Sequence, residues 1–362
     1  MINEKVKVAV IGAGEIGTKA HIPAYLKNPN VELVGLVDAD EKKLQKASKK
    51  YRLKNCYTSF DQLINNTAVD AISVCTPPTS HAEIVLKAFA NDIHVLCEKP
   101  LATSTEDGQK MLEAAKRQKK ALMVGFNLRY YPNYLQTANL IKSGRLGHTH
   151  LIEFNLQSPN PLISWSKSPW FFNAQSGGGV LLDKGPHAFD MINYMFDDFP
   201  ISVNAVSSTF FESGVEDSCV CILEYPKKKM GLAIVSWLPS RVIELLSVHG
   251  TSQNVFVSPE FFIEANATDL LEIALFRKAT NLLVNLKFQN LPVFKINRVD
   301  TFQLEIDSFV NQARSGKYDY STALSGANVL LTCNSALQSL KSGRKVSINP
   351  IKINFSDDKR LL

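Results

Sequence analysis

The chain has 362 residues, 45% hydrophobic and 20% charged, with 18 Gly and 16 Pro. This is the balance of a globular protein long enough for two domains, and it excludes disorder as the main state and any need for disulfide or metal staples. The 40 Lys and Arg against 34 Asp and Glu leave a net charge of +6, spread along the chain instead of forming a tail, so a nucleic-acid partner gains no support.

From Val6 to about Val124, short apolar runs alternate with segments of helical period: VKVAVI, a helix near Ile16 to Leu26, VELVGLVD, then Glu41 to Lys50. AISVCT, Ser80 to Phe89, HVLCEK, Thr105 to Lys119 and ALMVGF continue the pattern. Strands of this kind, separated by helices, form a parallel sheet buried on both faces, so residues 1–126 are expected to be a doubly wound Rossmann domain. The basic run from Lys42 to Lys54 reads as a solvated helix face, or as a patch beside an anionic ligand.

After Phe126 the pattern changes. A helix over Tyr131 to Lys142 precedes a strand over His148 to Leu156, an irregular stretch from Ser158 to Ser176, and a helix from Val180 to Met195 after Gly177-Gly178-Gly179. SVNAVSSTFF, DSCVCILEY, GLAIVSWL and VIELLSVHG then follow with no intervening helix, before helices at Thr301 to Arg314 and Ser321 to Leu340. Residues 127–362 are therefore expected to form an α+β domain with a large, mostly antiparallel sheet.

Six cysteines show no CxxC and sit in apolar runs, which suits free thiols in a reducing compartment. The N-terminus enters a strand within a few residues, leaving no room for a signal peptide, and no apolar stretch nears the roughly 18 residues of a membrane helix. A cytoplasmic protein with no membrane partner is expected. His148/His150 and Cys219/Cys221 have period-two spacing without the further ligands of a closed site, so no metal is expected.

The first strand runs into Gly12-Ala13-Gly14-Glu15-Ile16-Gly17. Gly12 permits a tight turn, Gly14 a close approach to a pyrophosphate, and Gly17 close helix packing, while the helix N-terminus, at Glu15 and Ile16, offers N–H groups to the phosphates. Asp38, roughly 20 residues further on at the end of the second strand, is placed to accept ribose hydroxyls. With Asp40 beside it, two acids crowd the place of an NADP phosphate, favouring NAD, although the lysines of the next helix argue mildly for NADP.

VIGAGEIG, SVCTPPTSHAEIV, CEKPLATS, VGFNLRYYP and GGGVLLDKGPHAFDMINYMF, in that order, resemble the Gfo/Idh/MocA family of glucose–fructose oxidoreductase- and inositol dehydrogenase-like proteins. On its own, Lys99 ends a parallel strand where such sheets bind ligands, and an ammonium there can stabilise charge on a reacting oxygen. Asp183, His187 and Asp190 would share one helix face, where a histidine beside carboxylates suits acid/base work.

The resemblance implies that Lys99, Asp183 and His187 form the catalytic set: His187 as base, Asp183 to orient it or the substrate hydroxyl, and Lys99 at the reacting oxygen. It also implies a cis Lys99–Pro100 peptide, cofactor contacts from Thr76, Pro77, His81 and Glu98, and a homo-oligomer. Asp190 is expected to bind a substrate hydroxyl, and Asn127 and Arg129 to face substrate or nicotinamide, or merely to form the domain junction. Trp170 is similar to an aromatic that relatives often follow with arginine; Phe171 here weakens any case for an acidic or phosphorylated substrate.

The reading is an NAD-dependent oxidoreductase for a secondary hydroxyl of a sugar, sugar derivative or cyclitol. The competing readings are an NADP-linked reductase of the same fold and a non-catalytic NAD-binding regulator, a type the family includes. Intact Lys99, Asp183 and His187 speak against the regulator.

Overall fold

Strands β1 (Val6–Ile11), β2 (Val31–Val37), β3 (Cys56–Tyr57), β4 (Ala71–Val74), β5 (His94–Cys97) and β6 (Leu122–Val124) pair in parallel in the order β3-β2-β1-β4-β5-β6. The order reverses between β1 and β4, where a doubly wound sheet opens a crevice at its carboxyl edge. Every residue of β4 and β5 is buried, as a strand covered on both faces must be. The hydrophobic pattern does not announce β3, because this two-residue edge strand is only half-buried. The computed structural model describes residues 4–161, 169–173, 178–211, 214–260, 262–266 and 299–352.

The covering helices are α1 (Ile22–Lys27), entered through a π-turn at Gly17–His21, α2 (Glu41–Tyr51), α3 (Phe60–Asn66), α4 (His81–Ala90) and α5 (Thr105–Arg117). Side chains of Asp40, Ser59 and Ser104 accept N–H groups from the first turns of α2, α3 and α5 and so fix where each helix begins.

In the second half, α6 (Pro132–Lys142) leads to β7 (Thr149–Gln157), α7 (Val180–Asp183) and α8 (Gly185–Phe196). Then come β8 (Ser202–Ser208), β9 (Ser218–Tyr225), β10 (Lys229–Ser236), β11 (Ile243–Gly250), β12 (Gln253–Val257) and β13 (Phe262–Asn266), and, after a further pair of helices, β14 (Val346–Ser347). The sheet order is β13-β12-β11-β7-β10-β9-β8-β14, antiparallel throughout except where β10 lies parallel to β7. Alternation sorts its faces: Val203, Ala205, Cys219, Cys221, Leu223, Ala233 and Val235 are buried, while Val206, Ile222 and Met230 on the other face are exposed.

Two features depart from the sequence expectation. The helix expected from Val180 to Met195 divides at Lys184, where Gly185-Pro186 starts a second segment and Pro186 has no N–H to continue the first. The last helices, α9 (Thr301–Ser315) and α10 (Ser321–Ser342), return to the first sheet: α9 packs on α1 and the π-turn, α10 on α5 and β6. Gly326 permits that contact, since a Cβ there would lie 2.9 Å from a Val124 methyl. Residues beyond Phe126 thus also pack on the first sheet.

Helix α9 also carries Glu305 inward, fully buried with neither carboxyl oxygen partnered among the described residues. Burial, and then the nearby Glu98 and Asp190 carboxylates, push its carboxyl well above the usual range. An acid whose folded pKa is raised loses stability as pH climbs from its unfolded value toward its folded one. Glu305→Gln should therefore become progressively more stable than the wild type above about pH 4.3, by up to about 1.4 kcal/mol per pH unit. Urea unfolding at pH 4 to 8 checks this; a constant gap would mean an ordinary, partnered carboxylate.

Candidate active site

The fingerprint loop is shaped by packing on one side and openness on the other. Gly12 has φ 110° and a Cβ there would lie 2.6 Å from the Cys75 carbonyl oxygen; at Gly17 it would lie 2.1 Å from the Gly12 carbonyl oxygen. At Gly14 a Cβ would meet no protein atom within 4 Å, so this backbone faces the side from which a phosphate approaches. Asp38 accepts the Ala13 N–H (2.7 Å) through one oxygen and the Asp40 N–H (2.8 Å) through the other. The carboxylate braces the loop and keeps lone pairs for ribose hydroxyls. These residues fit a dinucleotide. Asp40 also serves as the N-cap of α2, accepting from Lys42 and Lys43.

Among the other residues expected at the cofactor, Glu15 pairs with Lys19 at the surface, and Ile16 precedes the π-turn. Thr76 accepts the Ser80 hydroxyl (2.7 Å), and Pro77 leads into the turn Pro78–Ser80. His81 is buried, with its ring nitrogens on the carbonyl oxygens of Pro100 (3.0 Å) and Thr76 (2.8 Å). It ties the two loops together and has no ring nitrogen left for a ligand. Burial lowers its pKa, so it is neutral and donates to one carbonyl at a time.

Glu98 is likewise occupied. Its Oε1 meets His21 Nε2 at 2.9 Å and its Oε2 accepts the Lys99 N–H at 3.2 Å, while His21 Nδ1 reaches Ser73 Oγ (2.9 Å), which also meets the Tyr25 hydroxyl (2.6 Å). This buried chain fixes the strand end that presents Lys99. The Lys99–Pro100 peptide is cis.

Lys99 crosses to the second half of the chain. Its Nζ donates to the Asp183 carbonyl oxygen (2.8 Å) and to Asp183 Oδ1 (3.1 Å); Trp237 Nε1 donates to Asp183 Oδ2 (3.1 Å), and Lys184 Nζ lies 3.7 Å from that oxygen. Burial alone would raise the Asp183 carboxyl, but Lys184, Lys99 and the indole N–H hold it well below the usual carboxylate range. Asp183 is presented by a shaped turn: Glu216 accepts the Val180 N–H through its carbonyl oxygen and the Leu181 N–H through Oε1, each at 3.0 Å. Gly179 (φ 109°) admits that carboxyl, which would lie 2.2 Å from any Cβ.

His187, one turn beyond Asp183, is half-buried, with Nδ1 enclosed and without a partner among the described residues. Burial first, then Lys99 and Lys184, depress its pKa well below the usual 6.5, outweighing Asp183. The expectation that a carboxylate would orient this ring and support its charged form is not met, because both Asp183 oxygens are taken by Lys99 and Trp237. His187 is a neutral imidazole in a field dominated by cations.

Asp190 is 1% exposed and is gripped by Arg129 in a bidentate pair (2.8 and 2.6 Å), with the Ser325 hydroxyl on Oδ1 at 2.6 Å. With both oxygens engaged, Asp190 is a partner of Arg129 and not the expected hydroxyl binder. Arg129 correspondingly belongs to the junction. Asn127 donates to Thr301 Oγ1 (3.2 Å). Trp170 falls in the turn Pro169–Phe172 with its side chain outside the described residues, as is Gly177; Phe171 is buried edge-on against Trp237, ring centroids 6.1 Å apart. Trp237, Glu216 and His21 are contributors that sequence reading missed. Only the strand-end position of Trp237 offered a hint.

A nucleotide-fitting Rossmann edge facing a lysine, a carboxylate and a neutral histidine defines a dinucleotide-dependent oxidoreductase. Residues 6–126 match the family model for the NAD-binding Rossmann fold of the GFO/IDH/MocA oxidoreductases, and residues 134–255 match the model for their C-terminal domain. The chain belongs to this family. It is 25% identical to the myo-inositol 2-dehydrogenase of Thermotoga maritima, over 95% of this chain and 99% of that one. It is 34% identical to the glucose-6-phosphate 3-dehydrogenase of Bacillus subtilis, over 60% and 62%. Among solved structures, GenD2 of gentamicin A biosynthesis, in complex with NAD, superposes with TM-score 0.78 at 25% identity, over 96% of this chain and 97% of that one. Levoglucosan dehydrogenase with NADH and L-sorbose shares the fold at TM-score 0.81 and 20% identity, over 96% and 99%. Among the described residues no helix is long and apolar enough to cross a membrane.

Trp237→Phe keeps a ring against Phe171 and Phe172 while removing the donor to Asp183 Oδ2. It should cost about 1–3 kcal/mol, the worth of a hydrogen bond to a buried charge. The loss should shrink when position 183 carries no charge to solvate. Equilibrium unfolding of Trp237→Phe in the parent and in an Asp183→Asn background checks this, and equal losses in both would assign Trp237 to packing alone.

Proposed function

We propose that the protein is an NAD-dependent dehydrogenase acting on a secondary hydroxyl of a sugar, sugar derivative or cyclitol. One observation carries the reading: Lys99, Asp183 and the neutral His187 converge beside the carboxyl edge of a sheet whose fingerprint loop fits a dinucleotide. The inositol, glucoside and glucose-6-phosphate dehydrogenases among its relatives support the substrate class.

NAD, when bound, supplies the hydride acceptor. Lys99 donates a hydrogen bond to the hydroxyl being oxidised and stabilises the charge that develops on it. His187, its Nδ1 walled in, takes the hydroxyl proton on Nε2. Asp183 holds Lys99 in place through two contacts and is itself held by Trp237. Asp190 and Arg129 position the helix that carries His187.

NAD is preferred over NADP on this reading because the Asp38 carboxylate stands where an added phosphate would meet it. The second reading, an NADP-linked reductase, draws on the exposed lysines of α2. A regulator has no use for a buried lysine–carboxylate pair beside an unpartnered imidazole. Six free cysteines fit a reducing cytoplasm. The exposed Val206, Ile222 and Met230 on the open sheet face fit burial against a second copy of the chain.

A screen for NADH formation over polyols, aldoses, cyclitols and sugar acids tests the reading; binding of NAD with no turnover of any of them would favour the regulator. Once a substrate is in hand, His187→Ala and Lys99→Ala should each lower turnover roughly 10²–10⁴-fold with NAD affinity near the parent value. The depressed pKa of His187 places the acid limb of oxidation well below pH 6.5, so turnover should vary little between pH 6.5 and 8. A limb centred near 6.5 or above would contradict that environment. Calorimetry should show NAD binding more tightly than NADP, with Asp38→Ala narrowing the gap; equal affinity in the unmutated protein would favour the NADP reading.

A further inference from the structure

Glu244 is the second residue of β11, opposite Leu156 of β7, and so lies on the inner face of the sheet, at the end toward which Trp237 and Asp183 also lie. A glutamate here breaks the apolar sequence of that face, whose next inward positions are Leu246 and Val248, both fully buried. Its Oε1 accepts the hydroxyl of Tyr134, a buried residue of α6 set edge-on against Phe154 (6.0 Å, 88°). Oε2 has no partner among the described residues, and it is not one of the enclosed, unpartnered oxygens.

Glu244 feels a charge of the active site. Burial raises its carboxyl above the usual range, while the Tyr134 hydrogen bond and Lys184 work the other way. Lys184 is the residue whose ammonium lies 3.7 Å from Asp183 Oδ2. A partly buried carboxyl, anchored on one oxygen and open on the other, therefore stands at the end of β7 that β10 also reaches just before Trp237, and shares Lys184 as a charged neighbour with the Asp183 carboxylate. Such a group accepts a hydrogen bond from an uncharged donor and repels an anion.

We propose that Glu244 is a specificity-determining residue: its Oε2 accepts a hydrogen bond from a substrate hydroxyl other than the one oxidised, so that the site selects uncharged, hydroxyl-rich rings over sugar acids and sugar phosphates. This deepens the dehydrogenase reading and rests on it. The nearby ammonium groups of Lys99 and Lys184 already face the Asp183 carboxylate, and Phe171, buried against Trp237, adds no further cation to offset the repulsion.

The test compares the wild type with Glu244→Gln and Glu244→Ala, using neutral substrates paired with their acid or 6-phosphate counterparts. Glu244→Gln retains an acceptor for Tyr134 but removes the charge. KM for the neutral substrate should rise roughly tenfold with kcat nearly unchanged, the mark of a lost binding contact, and discrimination against the anionic partner should fall by tenfold or more. NAD affinity should stay at the parent value. A merely structural role would lower kcat or thermal stability for every substrate alike and leave the neutral-to-anionic ratio unmoved. Turnover by the wild type with that ratio unchanged in Glu244→Gln overturns this inference alone. No NADH formation from any compound overturns the dehydrogenase reading, and this inference with it.

Discussion

The Asp183 carboxylate is the charge on which the arrangement depends. It is 1% exposed, and an isolated carboxylate in such a place would take up a proton instead of staying charged. It stays ionised because two donors from distant stretches of chain meet it, Lys99 from the Rossmann sheet and the Trp237 indole from the end of β10, and because the ammonium of the adjacent Lys184 lies close by. Removing one partner of such a set costs more than forming the pair yields, because the remaining charge is left buried and uncompensated. The same contact joins the two sheets, so the geometry of the site and the docking of the two halves are one problem.

A second buried pair repeats the arrangement nearby. Arg129 leaves the junction after β6 and grips Asp190 on α8 with two hydrogen bonds, and Ser325 from α10 closes the third side. Bidentate guanidinium geometry fixes orientation as well as distance. The helix bearing His187 is thus held at its first turn through Asp183 and one turn later through Asp190. Glu305, unpartnered between Glu98 and Asp190, is the cost of crowding acids at this seam.

The parts legible in the sequence are those decided locally. Strand runs such as AISV and HVLC could only be buried on both faces, and Gly12 and Gly17 announce a turn with no room for a side chain. Lys99 and His187 could be nominated from the sequence because their motifs are contiguous. Partners far apart in the chain were invisible: Trp237 lies 54 residues from Asp183, and His21 lies 77 from Glu98. Asp190 was misjudged for the same reason, since its spacing on the helix shows the face it shares with Asp183 but not the arginine waiting there. Asp40 has, besides, a local role that the sequence reading did not name, the N-cap of α2. The break at Lys184 was legible in Gly185-Pro186, yet helical period alone runs straight across it.

The depressed pKa of His187 has two opposed effects in the proposed reaction. Lys99 and Lys184 make the imidazole a weaker base, which slows removal of a proton from an alcohol. The same ammonium of Lys99, hydrogen-bonded to the reacting oxygen, makes that alcohol a stronger acid and stabilises the charge it acquires. The driving force for proton transfer depends on the difference between the two, so a cation acting on both costs little of it. What the cation does change is the resting state. An imidazole with a normal pKa beside two carboxylates would carry a proton through much of the neutral range and could not accept another, whereas this one is neutral and ready as a base. The arrangement therefore exchanges base strength, which Lys99 restores at the substrate, for full occupancy of the form that can react.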